Sequence, residues 1–243
     1  MDPRVAIVTG SASGIGAAVA LELAGRGWRV VVNYSKSAQQ AEETAARCGE
    51  AIAVRADVSD DAQCRALVQA ALDKWGRLDA LVNNAGTTKF VPHAQLDGLS
   101  GEDFQRIYAT NVIGPFQMCR AAAPALRAAR GAIVNVSSLA ARLGSPEEYV
   151  DYAASKGALD TLTVGLAKEV AADGIRVNAV RPGFIYTEIH ASGGEPGRVD
   201  RVKEKAPMKR GGRPEEVARA VLWLLSDEAS YSTGTFIEVS GGL

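Results

Sequence analysis

Short apolar runs recur along the chain, and each gives way to a longer segment in which apolar residues return at helical spacing. The runs lie at 4–9, 29–33, 51–55, 78–82, 132–136, 175–180 and 236–239. Each is nearly continuous in apolar residues. A strand with one wet face alternates polar and apolar side chains, whereas a strand covered on both faces has no polar side to show. The runs therefore predict a parallel sheet buried between two helical layers, a doubly wound α/β fold. Helical periodicity covers 14–26, 37–48, 60–75, 103–129, 149–172 and 214–226, the last opened by Pro214 with Glu215 and Glu216 in its first turn. No linker interrupts the alternation, which predicts one domain over residues 1–243. The irregular stretch 182–213, rich in Gly and charge, is long enough to expect a lid or binding loop.

Composition narrows the class. With 47% hydrophobic and 23% charged residues the chain can bury a core and keep a polar surface, which excludes disorder. A net charge of −1 provides no basic field for a phosphate backbone, so nucleic acid is not an expected partner. Cys48, Cys64 and Cys119 are scattered and odd in number, which predicts buried thiols rather than disulfides or a zinc site. With only His93 and His190 available, and no Cys or carboxylate pattern around them, no metal site is expected. The apolar run at 5–8 is far too short for a signal or membrane segment, so a cytoplasmic location without a membrane partner is expected.

The first strand runs into Thr9-Gly10-Ser11-Ala12-Ser13-Gly14-Ile15-Gly16 and then a helix. Glycines at such a junction permit a tight turn, let backbone approach a diphosphate and leave helix-starting N–H groups facing the anion. The same glycines would also serve a plain strand-to-helix turn. Gly10, Ser13, Gly14, Ile15 and Gly16 are the candidate contacts. The second strand ends at Asn33, followed by Ser35 and Lys36 where a carboxylate would normally meet a ribose diol. A hydroxyl and an ammonium there suit a ribose phosphate, which favours NADP(H) over NAD(H). After the third strand, Asp57-Val58 offers an acceptor for an adenine amino group, or a cap for the next helix.

Tyr152 and Lys156 stand four residues apart in a helical segment, hence on one face. A phenol near pKa ~10 needs a nearby cation to give up its proton at neutral pH, and Lys156 offers one. Ser137 and Ser138 follow the fifth run, at the strand end where open α/β sheets bind ligands.

Together with Asn83-Asn84-Ala85-Gly86, Asn111, Arg181-Pro182-Gly183, Thr187 and the closing Gly241-Gly242, these pieces make the whole chain resemble the classical short-chain dehydrogenase/reductases. The resemblance implies a seven-stranded parallel Rossmann sheet and a tetrad of Asn111, Ser138, Tyr152 and Lys156. It places Asn84, Ala85 and Gly86 beside the adenosine ribose and diphosphate, and Pro182, Gly183, Ile185 and Thr187 around the nicotinamide. Ser138 rather than Ser137 would bind the reacting oxygen, and Asn111 would hold a water. The Ser138 to Tyr152 interval, containing Ser145-Pro146-Glu147-Glu148, is one residue longer than the family's commonest spacing, so the loop there is expected to differ.

The implied activity is interconversion of a small-molecule carbonyl and alcohol, either NADPH-dependent ketone or 3-oxoacyl reduction or a sugar or polyol dehydrogenation; a non-catalytic nucleotide sensor would keep the fold without the chemistry. The resemblance also implies a homotetramer, for which Met118, Cys119, Leu126, Leu159, Leu162, Val164 and Leu166 would supply apolar contacts. The lid carries Arg198, Arg201, Lys203, Lys205, Lys209, Arg210 and Arg213 against four acids, which fits either an anionic substrate or a solvated charged face.

Overall fold

Successive residues of each central strand point into different helical layers. Ala6 and Val8 pack with Val30, Val32, Val82 and Val134 under one layer, while Val5 and Ile7 pack with Val31, Leu81 and Ile133 under the other. Both sets are buried, which is why the runs read as continuous apolar segments. A computed structural model describes residues 2–91 and 97–243, so His93 lies outside the described residues.

The strands are β1 (Val5–Val8), β2 (Arg29–Tyr34), β3 (Ala51–Arg55), β4 (Ala80–Asn83), β5 (Ala132–Val136), β6 (Arg176–Pro182) and β7 (Phe236–Val239). They form one parallel sheet in the order β3-β2-β1-β4-β5-β6-β7. The chain winds outward from β1 to β3 and then returns to place β4 on the other side of β1. The ends of β1 and β4 therefore diverge into a crevice, the usual ligand position in such sheets.

The helices are α1 (Gly14–Ala24), α2 (Ala38–Cys48), α3 (Asp61–Trp75), α4 (Gly101–Tyr108), α5 (Gly114–Ala129), α6 (Ala140–Leu143), α7 (Val150–Val170), α8 (Ile189–Ser192), α9 (Arg198–Val202) and α10 (Pro214–Leu225). The periodic segment 103–129 is not one helix. A π turn, Ala109–Ile113, separates α4 from α5, and Asn111 sits inside it. The segment 182–213 holds two short helices, and a bridge between Ile185 and Gly212 draws its ends together. Gly212 N–H donates to the Phe184 carbonyl at 2.8 Å and Tyr186 N–H to the Gly212 carbonyl at 3.1 Å, making the lid a closed loop with a fixed neck. Cys48, Cys64 and Cys119 are all buried and unpaired.

Candidate active site

A cleft of about 670 Å³ runs across the carboxyl ends of β1, β4 and β5, from Ser35 and Lys36 to Ser138 and Tyr152. Its floor is the glycine loop. Thr9 ties the two diverging strands together, donating to the Val82 carbonyl and accepting from the N–H groups of Asn84 and Ala85. Gly10 has φ +61°, and a Cβ there would fall 2.8 Å from the Ala85 Cα, so no other residue fits without moving the β4 loop. Ser13, at the start of α1, makes no side-chain cap, which leaves the first helical N–H groups for a ligand. The Glu188 carboxylate already reaches toward this spot, 3.3 Å from where a Gly14 Cβ would be. Close backbone and free helix-starting donors fit a diphosphate, and hence a dinucleotide cofactor.

Most predicted contacts line this cleft: Gly10, Ser13, Gly14 and Ile15 from the glycine loop, Asn84, Ala85 and Gly86 after β4, and Pro182, Gly183, Ile185 and Thr187 after β6. Gly16 does not. A Cβ there would lie 2.5 Å from Asn84 Nδ2 and 2.6 Å from the Gly10 carbonyl, so this glycine lets α1 pack onto the loop. Asn33 borders the cleft but its amide is committed. Its Oδ1 accepts from Gly10 N–H at 3.1 Å and its Nδ2 donates to the Ala56 carbonyl at 3.0 Å. It braces the loop between two strand ends.

At the far end Ser35 and Lys36 are exposed, and Arg55 joins them by donating from Nε to the Ser35 carbonyl at 3.3 Å. Val58 and Asp57 also line the cleft. Asp57 does not cap α3. Its Oδ1 accepts from Ser59 N–H and hydroxyl, and the cap is Asp60, which accepts from Gln63 N–H.

At the other end α7 presents Tyr152 and Lys156 side by side, the ammonium 5.6 Å from the centre of the tyrosine ring. Lys156 is 3% exposed and donates to the Val136 carbonyl at 2.7 Å. Burial pulls its pKa down to about 8, against the opposing pull of Asp160. Burial pushes the Tyr152 phenol up to about 12, opposed by a hydrogen bond with Ser138 and by the charge of Arg198. Burial thus outweighs the influences that would lower the phenol, Ser138 and the Arg198 guanidinium among them.

The serine pair divides cleanly. Ser137 is buried and donates to Asp160 Oδ1 at 2.5 Å, while Ser138 borders the cleft beside Tyr152. Asn111 stands behind rather than in the cleft wall. Its Oδ1 accepts from Thr87 N–H at 2.9 Å, and its Nδ2 donates to the Thr87 carbonyl and to Ser155 Oγ, both at 3.0 Å. The π turn and this clamp join α7 to the loop after β4. Lys156 Nζ and Asn111 Oδ1 converge on Gly86, at 3.7 Å and 3.5 Å from its Cβ position.

Three residues at this end, Tyr149, Arg198 and Glu148, were not placed in the site by the sequence reading. Tyr149 packs edge-on against Tyr152 with ring centres 5.2 Å apart. Arg198 lines the cleft, 5% exposed, and pairs with Glu148 from the loop before α7. Only spatial contact between the lid and that loop identifies this pair, 50 residues apart in the chain. Three of the other lid cations are also paired: Arg201 with Glu148 and Glu195, Lys203 with Asp200, and Arg210 with Glu216. His190 lines the cleft with Nε2 against the Ile185 carbonyl at 2.9 Å, and burial lowers its pKa. Among the described residues no three His, Cys, Asp or Glu side chains cluster as metal ligands, and no helix is long and apolar enough to cross a membrane.

The chain is similar over residues 10–243 to a family described as enoyl-(acyl carrier protein) reductase. It is 54% identical to the uncharacterized oxidoreductase YgfF of Escherichia coli, over 98% of this chain and 99% of that protein. It is 39% identical to a 3-oxoacyl-[acyl-carrier-protein] reductase of Synechocystis, over 99% and 96% respectively. A crystal structure from Burkholderia xenovorans, assigned to the short-chain dehydrogenase/reductases, superposes with a TM-score of 0.90 at 40% identity, covering 100% of this chain and 98% of the other. Sheet order, glycine loop and full-length similarity agree: the chain belongs to the short-chain dehydrogenase/reductase family and is an oxidoreductase acting on CH-OH groups with NAD(P).

Proposed function

We propose that this enzyme reduces the carbonyl of a small ketone or 3-oxoacyl compound with NADPH. The observation that carries the reading is the juxtaposition of Ser138, Tyr152 and Lys156 at one end of the cleft, with Ser137 held out of it by Asp160. When bound, the nicotinamide cofactor supplies the hydride. Tyr152, held protonated by burial, donates its proton to the carbonyl oxygen. Ser138 hydrogen-bonds that oxygen as negative charge gathers on it. Lys156 is placed beneath the tyrosine, and once it turns from Val136 it can meet a ribose hydroxyl. Both Nδ2 donors of Asn111 are engaged, so a water that resupplies the proton would donate to its remaining acceptor capacity rather than accept from its amide.

Exposed Ser35 and Lys36, with Arg55 beside them, favour a ribose phosphate over a bare diol. Similarity to the Synechocystis 3-oxoacyl reductase supports the substrate class. A homotetramer remains part of the proposal, but Met118, Cys119, Leu126 and Leu159 lie in the chain's own core and cannot build it. Phe104, Ile113, Phe116 and Val150 are the exposed apolar residues of α4, the π turn, α5 and α7 that fit a partner.

The test follows nicotinamide absorbance with ketones and 3-oxoacyl thioesters in the presence of NADPH or NADH, and with sugars in the presence of NADP or NAD. Carbonyl-dependent oxidation of NADPH is expected. Turnover confined to sugar oxidation, or a preference for NADH, would contradict the proposal.

A further inference from the structure

Lid and catalytic helix meet through one buried guanidinium. Arg198 Nε donates to Glu148 Oε2 at 3.0 Å, and Nη2 donates to the same oxygen. Its Cζ stands 4.9 Å from the centre of the Tyr149 ring and 5.2 Å from that of Phe184. Since the Tyr149 ring meets the Tyr152 ring, guanidinium and reacting phenol are one aromatic ring apart on the wall of a single cleft. Glu148 reaches this position from a turn in which Ser145 and Glu147 adopt φ of +43° and +70°. Such conformations persist only where surroundings fix them, and this turn is the stretch that lengthens the Ser138 to Tyr152 interval.

Arginine presents five N–H donors in a rigid fork. Glu148 uses Nε and Nη2, and among the described residues Nη1 has no hydrogen-bond partner. The charges around it cancel. Glu148 also accepts from Arg201 at 2.8 Å, and Arg201 pairs with Glu195 at 2.5 Å, so two guanidiniums face two carboxylates. A full anion gains little from a group so balanced. A neutral oxygen gains a charge-assisted hydrogen bond from an unpaired donor.

We infer that Arg198 is a specificity-determining residue whose free Nη1 donates to a second, uncharged oxygen of the substrate, such as an ester or ketone oxygen near the reacting carbonyl. The inference rests on the carbonyl-reductase reading above and names which carbonyl compounds that site prefers.

The experiment compares kcat/KM with NADPH for ethyl 3-oxobutanoate, its free carboxylate, and heptan-2-one, which replaces the ester oxygens with methylenes. The ester is expected to exceed the monoketone by roughly tenfold or more, the range of a hydrogen bond to a charged donor. That ratio is expected to collapse in Arg198→Met and to shrink in Arg198→Lys, which keeps a charge for Glu148 but loses the fork. Equal kcat/KM for ester and monoketone in the unaltered enzyme would overturn the inference without any variant, and so would an unchanged ratio in a folded Arg198→Met protein. A carboxylate that outpaces the ester would overturn the choice of a neutral oxygen. Absence of turnover on every carbonyl, with NADPH bound, would instead remove the reductase reading beneath it.

Discussion

Burial shifts the two central titratable groups of this site in opposite directions. Burial holds the Tyr152 phenol protonated and drags the Lys156 ammonium toward neutrality. For Lys156 the sign is definite. The folded chain holds this proton less tightly than the unfolded chain, so between about 8 and 10.5 the unfolded state binds more protons and stability rises with pH. Urea unfolding of the enzyme and of Lys156→Met across that window should show their stability difference drifting toward the unaltered enzyme as pH rises. No drift, or the reverse, would mean that the lysine is not desolvated in solution. At the other end of the cleft, Lys36→Ala should weaken NADPH binding by about tenfold and NADH binding far less. Equal losses in titrations with both cofactors would remove the case for a ribose phosphate. Tyr152, Lys156, Lys36 and the glycines were legible because helical spacing and strand-end position place them without knowledge of distant contacts. For Asn33 and Gly16 the packing roles were not legible in the sequence: Asn33 braces Gly10 at the border of the cleft, and Gly16 admits Asn84.

At the scale of elements, two departures from regularity shape the site. The π turn at Ala109–Ile113 breaks what periodicity reads as one helix, because a π turn keeps the apolar rhythm while adding a residue. It turns the Asn111 amide onto Thr87 and Ser155, locking α7 to the loop after β4. The lid is the second. Its charge was visible in the sequence, but its pairing was not, since Glu148 belongs to a loop distant in the chain. Burial raises the Glu148 pKa, yet hydrogen bonds from Arg198 and Arg201 outweigh it and leave the carboxyl below its ordinary range. The pair therefore stabilises the closed lid above the ordinary Glu pKa of about 4.3 and loses this as pH falls through the lower folded value. Removing one partner of a buried pair costs roughly 3 kcal/mol. Glu148→Gln should accordingly speed tryptic cleavage at residues 198–205 at neutral pH by at least about tenfold. Unchanged cleavage would show that the lid is held by its neck alone.

For the whole molecule, the sheet order explains why residues from distant segments meet at one cleft. Reversal of winding between β1 and β4 opens the crevice, the glycine loop and Asn84 to Gly86 form its floor, and α7 and the lid close its catalytic end. The seven strands were legible within one or two residues because a sheet buried on both faces writes continuous apolar runs. Which apolar positions of the long helices turn to the chain's own core was not, since a helix shows the same spacing whatever it packs against, and Met118, Cys119, Leu126 and Leu159 prove to be core residues. The most direct test of the account is the single-turnover rate of hydride transfer from NADPH to a carbonyl substrate in Tyr152→Phe. A loss of roughly 100-fold or more, with NADPH affinity unchanged, is predicted from removal of a general acid. A rate close to that of the unaltered enzyme would contradict the assignment of Tyr152 as the proton donor and, with it, the reading of this cleft.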